Sequence, residues 1–384
     1  MQVVYGGMSV FKKMDKSMLA DKIFLGLVAI MLLVPCAKFN LQDREMEENR
    51  MLKHWPEFSM ACFSDGKNYF KSLEEWFNDR FNQRRRLIAY AYNLDAKINH
   101  EHVNDHALMG KDNWIFTKER NSVGNFQNTT SLSTVEQVKI IKKLKTWQAW
   151  LAKQNIKFYL MVAPDKNQIY GEFYPKNIQK KGTENQIDLV VKCAKEAQVP
   201  VIYPVPELLA QKSRGLLYYK NDTHWNSLGA YFGYKALMSL LQKDFSKIEI
   251  LQGKQIVYTK EKFDSKDLER MLNLTIDEYN YIEYTTPSVA HPTAGNVEKF
   301  SQATFIENAI KPYKLFISGD SFTGAMLPFL GETFKLTTYT HTNHDLYRDQ
   351  DLIMKIKPDI VVIEVIGKYV GDLLNDSPPL KEVQ

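Results

Sequence analysis

Apolar runs alternate with segments of helical periodicity in the chain beyond residue 130. Five of these runs predict strands, at residues 157–163, 199–203, 314–318, 335–340 and 359–365. Because the runs are almost continuously apolar and helices separate them, they predict a parallel sheet that is covered by helices on both faces. The pattern therefore predicts an α/β fold.

The helix with the clearest signal covers residues 133–153. Ser133 and Glu136 have the spacing of a capping box, and apolar residues recur after them at helical spacing. Trp147 and Trp150 are assigned to the core of the fold rather than to a ligand platform. Further helices are predicted at residues 72–98, 184–198, 227–241 and 322–330.

The chain divides into four predicted segments. A basic cytoplasmic tail covers residues 1–22, an apolar segment 23–38, a linker with helices 39–100, and the α/β domain 101–384. Residues 245–312 interrupt the alternation of strands and helices, since they are polar, rich in Tyr, Thr and Lys, and weakly periodic. They are predicted to be an insertion within the α/β domain rather than a separate domain.

Residues 23–37 form a continuous apolar run. Its 15 residues are fewer than the ~20 that a membrane span needs, but Lys22 and Lys38 extend it towards the interfaces. The residues before the run are net positive and residues 39–50 are net negative, which predicts a cytoplasmic N-terminus. The run is a poor match to a signal-peptidase site. We predict an uncleaved single-pass signal anchor in the cell membrane, with cleavage as the alternative, and a periplasmic or extracellular α/β domain.

Composition and charge narrow the function classes. The 384 residues carry a formal net charge of +5, and no basic stripe is interleaved with aromatic residues, so nucleic-acid binding is not indicated. The three cysteines are too few for a disulfide framework and form no metal-binding pair. Cys62 and Cys193 are able to pair in an oxidising compartment, but two unrelated thiols are the favoured interpretation.

A Gly-Asp-Ser motif, Gly319 to Ser321, follows the apolar run at 314–318. In open α/β sheets, functional groups gather at the carboxyl ends of the strands. At a turn from strand to helix, Ser321 would have an exposed hydroxyl group, and its own backbone N–H would serve as an oxyanion donor. By itself the motif is explained better by Asp320 and Ser321 capping a helix.

A second motif supplies the missing parts of a serine nucleophile. Asp222 and His224 lie two residues apart, which allows the carboxylate to hold the imidazole in one tautomer. Together with Ser321 they would form a nucleophile, a general base and the acid that orients the base. Two alternatives stay open. His224 would be a core residue beside Trp225, or a metal site would join Asp222 and His224 with His341 and His344.

The order of the two motifs, with Asp-x-His-Trp before Gly-Asp-Ser, resembles the AlgJ/AlgX group of SGNH-hydrolase-like proteins, the polysaccharide (alginate-type) O-acetyltransferases. The similarity extends over residues 70–370 and includes shorter elements at 77–84, 110–116, 164–175 and 267–272. It implies an SGNH-hydrolase-like, flavodoxin-like parallel sheet.

The resemblance also implies roles for individual residues. Ser321 becomes the nucleophile, His224 the general base and acid, and Asp222 the residue that orients His224. An arginine that some members use near the oxyanion is not evident here, so the second oxyanion donor stays unassigned. The further candidates for the substrate or oxyanion site are Gly319, Asp320, Lys166, Tyr170, Trp225 and, as the nearest arginine, Arg348.

The activity that the resemblance implies is acetyl transfer through an acyl-serine to hydroxyl groups of an exported cell-surface polysaccharide. It implies no cofactor and no metal. Its expected partner is a multi-spanning membrane-bound O-acyltransferase that supplies the acetyl group. An acetyl-esterase acting on the polysaccharide and a non-catalytic scaffold of an export complex are the alternatives, and the identity of the polymer does not follow.

Overall fold

The structure is a computed structural model, in which contacts group the chain into two compact units, residues 1–100 and 101–384. The residues whose placement it describes are 16–33, 39–42, 44–45, 50–57, 66–81, 87, 106–252, 256–257, 261–262, 267–271, 279–280, 283–284, 291–293, 303–341 and 344–381.

The first unit contains two helices and a pair of two-residue strands. Its elements are α1 Lys16–Leu33, β1 Arg44–Glu45, β2 Arg50–Met51 and α2 Gly66–Arg80, with β1 and β2 antiparallel. The side chain of Arg80 is buried. Its guanidinium donates hydrogen bonds to the carbonyl oxygens of Lys53, Asn40 and Gln42, which offset the cost of removing the charge from water. The helix predicted at 72–98 corresponds to α2, which begins earlier, at Gly66, and ends at Arg80. Residues 82–86 and 88–100 of the predicted helix lie outside the described residues.

The predicted membrane anchor finds no support. Within the part of the chain that is described, no helix is both long enough and apolar enough to cross a membrane. Helix α1 covers the predicted apolar segment only up to Leu33, and its 18 residues include Lys16, Asp21 and Lys22. Residues 34–38 lie outside the described residues.

A seven-stranded sheet forms the centre of the second unit. The strand order is β11-β12-β14-β13-β15-β5-β6. The five strands from β14 to β6 are parallel, β12 is antiparallel to β14, and β11 is antiparallel to β12. These strands are β5 Lys157–Ala163, β6 Val201–Ile202, β11 His291–Thr293, β12 Ala303–Glu307, β13 Lys314–Gly319, β14 Leu336–His341 and β15 Ile360–Ile366. Small antiparallel pairs are β3 Ala107–Met109 with β4 Ile115–Thr117, β7 Ile256–Val257 with β10 Glu283–Tyr284, and β8 Glu261–Lys262 with β9 Tyr279–Asn280.

Helices cover both faces of this sheet. Their bounds are α3 Ser122–Gln127, α4 Thr134–Ala152, α5 Lys166–Ile169, α6 Gln186–Glu196, α7 Val205–Leu209, α8 Ser227–Leu241, α9 Asp267–Met271, α10 Ser321–Gly331 and α11 Leu346–Ile356. Side chains along β5 alternate between two apolar cores. Tyr159 and Met161 pack with α8 and α10, whereas Phe158 and Leu160 pack with α4, α6 and α11. Burying each large apolar side chain contributes roughly 1.5–3 kcal/mol.

Most predicted elements of this unit are confirmed. Helix α4 begins with the capping box of Ser133 and Glu136, and Trp147 and Trp150 are buried in the core. The strand predicted at 199–203 is shorter, since only the two residues of β6 pair with β5. The predicted insertion at 245–312 contributes β11 and β12 to the main sheet. Cys193 is a buried free thiol, and Cys62 lies outside the described residues.

Candidate active site

Three side chains from the two sequence motifs form one hydrogen-bonded chain. The Nε2 atom of His224 lies 2.6 Å from Oγ of Ser321, and its Nδ1 atom lies 2.6 Å from Oδ1 of Asp222. Asp222 is fully buried, whereas Ser321 is exposed to solvent. The arrangement can accept a proton from the serine hydroxyl at one end of the imidazole and orient the ring at the other.

Ser321 is positioned by the turn that joins β13 to α10. Asp320 is the N-cap residue of α10, because its Oδ1 accepts a hydrogen bond from the N–H of Phe322 at 2.8 Å. Its Oδ2 accepts another from the N–H of Ile366 on β15, at 3.1 Å. The turn is thus tied to the neighbouring strand, and Ser321 is the first residue of the helix, where backbone N–H groups have no partner within the helix.

Gly319 is required by close packing rather than by an unusual backbone angle. A Cβ atom at Gly319 would collide with Oγ1 of Thr323 and would lie 2.7 Å from Oε2 of Glu364. That same Oε2 accepts hydrogen bonds from the N–H of Asp320 at 3.1 Å and from the Thr323 hydroxyl at 2.8 Å. Glu364 is completely buried, and burial raises the pKa of its carboxyl group well above the ordinary value.

A short antiparallel turn carries Asp222 and His224. Tyr218 and Trp225 form an isolated bridge, and the N–H of Tyr219 donates to the carbonyl oxygen of His224 at 3.2 Å. The N–H of His224 donates to Oδ1 of Asp222 at 2.9 Å, so the carboxylate holds both the backbone and the ring of the histidine. Helix α8 begins directly after this turn.

Trp225 connects this turn to the serine helix. Its indole Nε1–H donates to the carbonyl oxygen of Phe322 at 3.2 Å, and the centres of the two rings lie 4.9 Å apart. Trp225 is buried, so it supports the relative position of His224 and Ser321 rather than facing a substrate. The ring of His224 also packs on Phe322, with 5.3 Å between the ring centres. Phe322 directly follows Ser321 in the chain, so the imidazole contacts the residue next to the serine.

Asp267 is a fourth member of the group. Its N–H donates to Oδ2 of Asp222 at 3.1 Å, and its Oδ1 accepts from the N–H of Thr223 at 2.8 Å. Among the described residues, Asp222, His224 and Asp267 have potential ligand atoms within 4.8 Å of one another. His341 and His344 do not belong to this group, so the metal site postulated from those two histidines is not assembled.

The electrostatics of the group follow from burial and mutual contact. Burial alone would lower the pKa of His224, but the hydrogen bond and charge of Asp222 outweigh it and raise that pKa. Burial alone would raise the pKa of Asp222, but the contact with His224 outweighs it and lowers that pKa. For Asp267, burial and the neighbouring Asp222 raise the pKa. These opposite shifts favour an ionised Asp222 carboxylate beside a His224 imidazole that binds a proton more tightly than a free imidazole does.

Two of the other candidate residues do not line a cleft. Lys166 is buried, and its ammonium group donates to the carbonyl oxygens of Tyr219, Lys220 and Asp222 at 3.0, 3.0 and 2.7 Å. Tyr170 is also buried; its hydroxyl accepts from the N–H of Leu217, and its ring stacks on Trp114. The expectation that Lys166 and Tyr170 face the substrate is corrected, because both stabilise the scaffold beneath the Asp222 turn.

Arg348 lies exposed on α11, and in the described part of the chain no contact joins it to Ser321, His224 or Asp222. Sequence reasoning gave no role to Glu364, although an acidic residue flanked by Ile363 and Val365 inside an apolar run is a signal of a buried polar contact. The sequence indicates Asp267 only as part of the family resemblance at residues 267–272, because its position beside Asp222 depends on the tertiary fold.

Comparisons with known proteins agree with this fold. The family model described as the SGNH hydrolase-like domain of the acetyltransferase AlgX matches residues 107–338. A curated relative named "Probable alginate O-acetylase AlgJ", from Pseudomonas syringae pv. tomato, is 27% identical over 185 residues, which are 47% of this chain. The match spans 44% of that relative, less than half its length.

Two solved structures are similar to this chain. PatB1 of Bacillus cereus is 17% identical with a TM-score of 0.51, and the match covers 71% of this chain and 99% of that one. The O-acetyltransferase domain of Pseudomonas putida AlgJ is 16% identical with a TM-score of 0.42, and covers 71% of this chain and 94% of its own. The predicted SGNH-hydrolase-like α/β fold is confirmed by the family match, and the likeness to PatB1 indicates the same fold.

Proposed function

The chain belongs to the family of the SGNH hydrolase-like domain of the acetyltransferase AlgX, and from this premise we propose that it is a serine-dependent O-acetyltransferase. It would move acetyl groups through an acyl-serine intermediate to hydroxyl groups of an exported cell-surface polysaccharide. The observation that carries the proposal is the hydrogen-bonded chain from Asp222 through His224 to the exposed Ser321.

In the first half-reaction, Oγ of Ser321 attacks the carbonyl carbon of the acetyl donor while Nε2 of His224 takes the hydroxyl proton. The negative charge on the carbonyl oxygen is stabilised by the N–H of Ser321 at the start of α10. The bond from the acetyl carbon to the leaving group then breaks, and His224 returns the proton to that group. The product is O-acetyl-serine.

In the second half-reaction, His224 takes the proton of an acceptor hydroxyl, whose oxygen attacks the acetyl-serine. The bond from acetyl carbon to Oγ breaks, and the proton passes from His224 to Ser321, so the free enzyme is restored. The Asp222 carboxylate stabilises the imidazolium in both steps and does not itself become protonated. If the acceptor is water the reaction is ester hydrolysis, and if it is a sugar hydroxyl it is transfer.

The alternative of a polysaccharide acetyl-esterase uses the same three residues. The family match favours transfer over hydrolysis, and the retained hydrogen bonds between Asp222, His224 and Ser321 favour an enzyme over a scaffold. The location we propose is periplasmic or extracellular, where an exported polymer is available. The proposed supplier of acetyl groups is a multi-spanning membrane-bound O-acyltransferase.

The test is the intact mass of the purified chain after incubation with p-nitrophenyl acetate. We expect wild type to gain one acetyl group and Ser321→Ala to gain none. Ser239→Ala, which removes an exposed serine of α8, is the matched control and should be acetylated like wild type. Faster loss of the acetyl group with a polysaccharide fragment than with water alone supports transfer. A failure of wild type to form the adduct and to hydrolyse the ester contradicts the enzyme assignment.

A further inference from the structure

A polar cavity of about 540 Å³ opens beside the turn that carries Ser321. Asp320, the residue before the serine, forms part of its wall, together with His341 at the end of β14. His341 pairs with Gly319 in the sheet register, and its Nδ1 lies 2.9 Å from the hydroxyl of Tyr339, which donates to the carbonyl oxygen of Asp320. The size falls in the range of ~300–1,000 Å³ that small-molecule sites occupy.

His344 presents unused hydrogen-bonding groups in this wall. Its side chain is 4% exposed, and neither ring nitrogen has a hydrogen-bond partner among the described residues. The nearest charged group is Asp320, whose Oδ2 lies 3.6 Å from Nε2. A buried polar group without a partner costs free energy, so His344 gains if a ligand or water brings a donor or acceptor to it.

The cavity lining combines one arginine with two carboxylates, those of Asp320 and Asp372. The guanidinium of Arg120 lies 3.6 Å from a carboxylate oxygen of Asp372 and 5.2 Å from the ring centre of Tyr369. His344 faces the carboxylate of Asp320 in the same way. Arg120 therefore already has an acidic neighbour, and the lining offers donors and acceptors without an excess of positive charge.

A second cavity, of about 410 Å³, shares Arg120 and Tyr369 with the first. Its other lining residues are His106, Lys118 and Glu119, and Glu119 binds the ammonium group of Lys368 at 2.9 Å. The two cavities thus meet at Arg120 and Tyr369 and again combine both signs of charge. A chain of several sugar units would pass both sets of groups.

We propose that the cavity formed by Arg120, Asp320, His341, His344, Tyr369 and Asp372 is the acceptor subsite, and that it takes a neutral, hydroxyl-rich saccharide unit. The proposal rests on the proposed acetyl transfer and deepens it. Hydroxyl groups act both as donors and as acceptors, which matches a lining of both kinds. A uronate carboxylate would meet Asp320 and Asp372, and an acetyl group alone is too small to fill the volume.

Binding tests the subsite without acetyl chemistry. Ser321→Ala protein is titrated calorimetrically with neutral tetrasaccharides of glucose, galactose, mannose and N-acetylglucosamine, and with tetra-galacturonate. We expect at least one neutral tetramer to bind more tightly than the uronate. Adding Arg120→Met, which keeps the unbranched stem, should weaken that binding about tenfold, because it removes a charged hydrogen-bond donor. Adding Arg214→Met, an exposed arginine outside both cavities, should leave it unchanged.

Turnover separates this proposal from the proposed function. On a wild-type background, Arg120→Met and His344→Asn should raise KM for the neutral acceptor, whereas Arg214→Met should leave both that KM and the acetylation of Ser321 by p-nitrophenyl acetate unchanged. Binding of a neutral tetramer that depends on Arg120 without any acetyl-serine would overturn the acetyl transfer and keep the subsite. Acetyl transfer that is indifferent to both variants, binding of no neutral tetramer, or preference for the uronate would overturn the subsite.

Discussion

Lys166 donates a hydrogen bond from its ammonium group to the backbone carbonyl oxygen of Asp222 across 2.7 Å. The same ammonium group donates hydrogen bonds to the carbonyl oxygens of Tyr219 and Lys220. A single lysine at the start of α5 therefore binds three carbonyl oxygens of the turn that carries His224. Its side chain is buried and lies over the ring of Phe116, 5.4 Å from the centre. The position of Asp222 therefore depends on a residue that does not touch Ser321.

Lys166→Met should destabilise the fold and loosen the Asp222 turn. The methionine fills similar space but leaves three buried carbonyl groups without their donor, which we expect to cost about 3 kcal/mol or more in the free energy of unfolding. Urea unfolding measures that loss, and p-nitrophenyl acetate hydrolysis measures the effect on the site. Lys139→Met, at an exposed lysine of α4, is the control and should change neither. Unchanged stability of Lys166→Met would contradict the buried role of the ammonium group.

The acetylation rate of Ser321 should rise with pH. His224 must be neutral to accept the serine proton, and the contact with Asp222 outweighs burial and raises the pKa of His224 above 6.5. Activity is therefore lost as the pH falls through this raised pKa, and the inflection should lie above pH 6.5. Asp222→Asn should move the inflection to lower pH and slow acetylation by on the order of 10³–10⁴-fold. An inflection that does not respond to Asp222→Asn would contradict the assigned pair.

Asp267 is expected to act as a positioning residue. Its charge contributes to the raised pKa of His224, and its Oδ1 holds the N–H of Thr223. Asp267→Asn retains an oxygen acceptor but removes the charge, so it should shift the inflection of the pH–rate profile to lower pH with little change in rate at high pH. Asp267→Ala loses the acceptor as well and should lower kcat about tenfold. Equal effects of the two variants at every pH would indicate a purely structural role.

Gly319→Ala should be poorly tolerated. The added methyl group would collide with Oγ1 of Thr323 and lie 2.7 Å from Oε2 of Glu364, and such overpacking costs ~1–3 kcal/mol. The matched control is Gly324→Ala on α10, the helix that follows Gly319, where no neighbouring atom lies within 4 Å of the added methyl group. That control should stabilise the protein by up to ~1 kcal/mol, because alanine favours helix over glycine. Thermal unfolding of the two variants gives the comparison, and equal stabilities would contradict the close packing at Gly319.

Asp165 should make stability depend on pH. Burial raises the pKa of Asp165 to about 7, and both of its carboxylate oxygens lack a hydrogen-bond partner among the described residues. Because the folded state binds the proton more tightly than the unfolded chain, the cost of Asp165 grows as the pH rises from about 4 to about 7 and stays constant above that. The benefit of Asp165→Asn should therefore be larger at pH 8 than at pH 4. Urea unfolding at both values measures the difference, and a benefit that is independent of pH would contradict the raised pKa.

The two motifs and the residues packed around them differ in how well the sequence predicts their positions. Asp222 and His224 are two residues apart, so their contact is a local matter, and the apolar run before Gly319 identifies Ser321 as the residue after a strand. The inward placement of Lys166 and Tyr170 is different. Both follow a predicted strand as expected for cleft residues, and only the packing of Trp114 and the 218–225 turn against them shows that they are buried.

The alternation of strands and helices, the start of α4, and the pairing of a serine motif with an Asp-x-His motif all follow from the amino-acid sequence alone. These features depend on periodicity, capping and spacing within a few residues, which are properties of a local stretch of chain. Three features become visible only in the folded chain: Asp267 and Glu364 support the site, His341 and His344 line a separate cavity, and two strands of the predicted insertion extend the sheet. Contacts between residues far apart in the chain exist only after the sheet and its helices have closed around a common core.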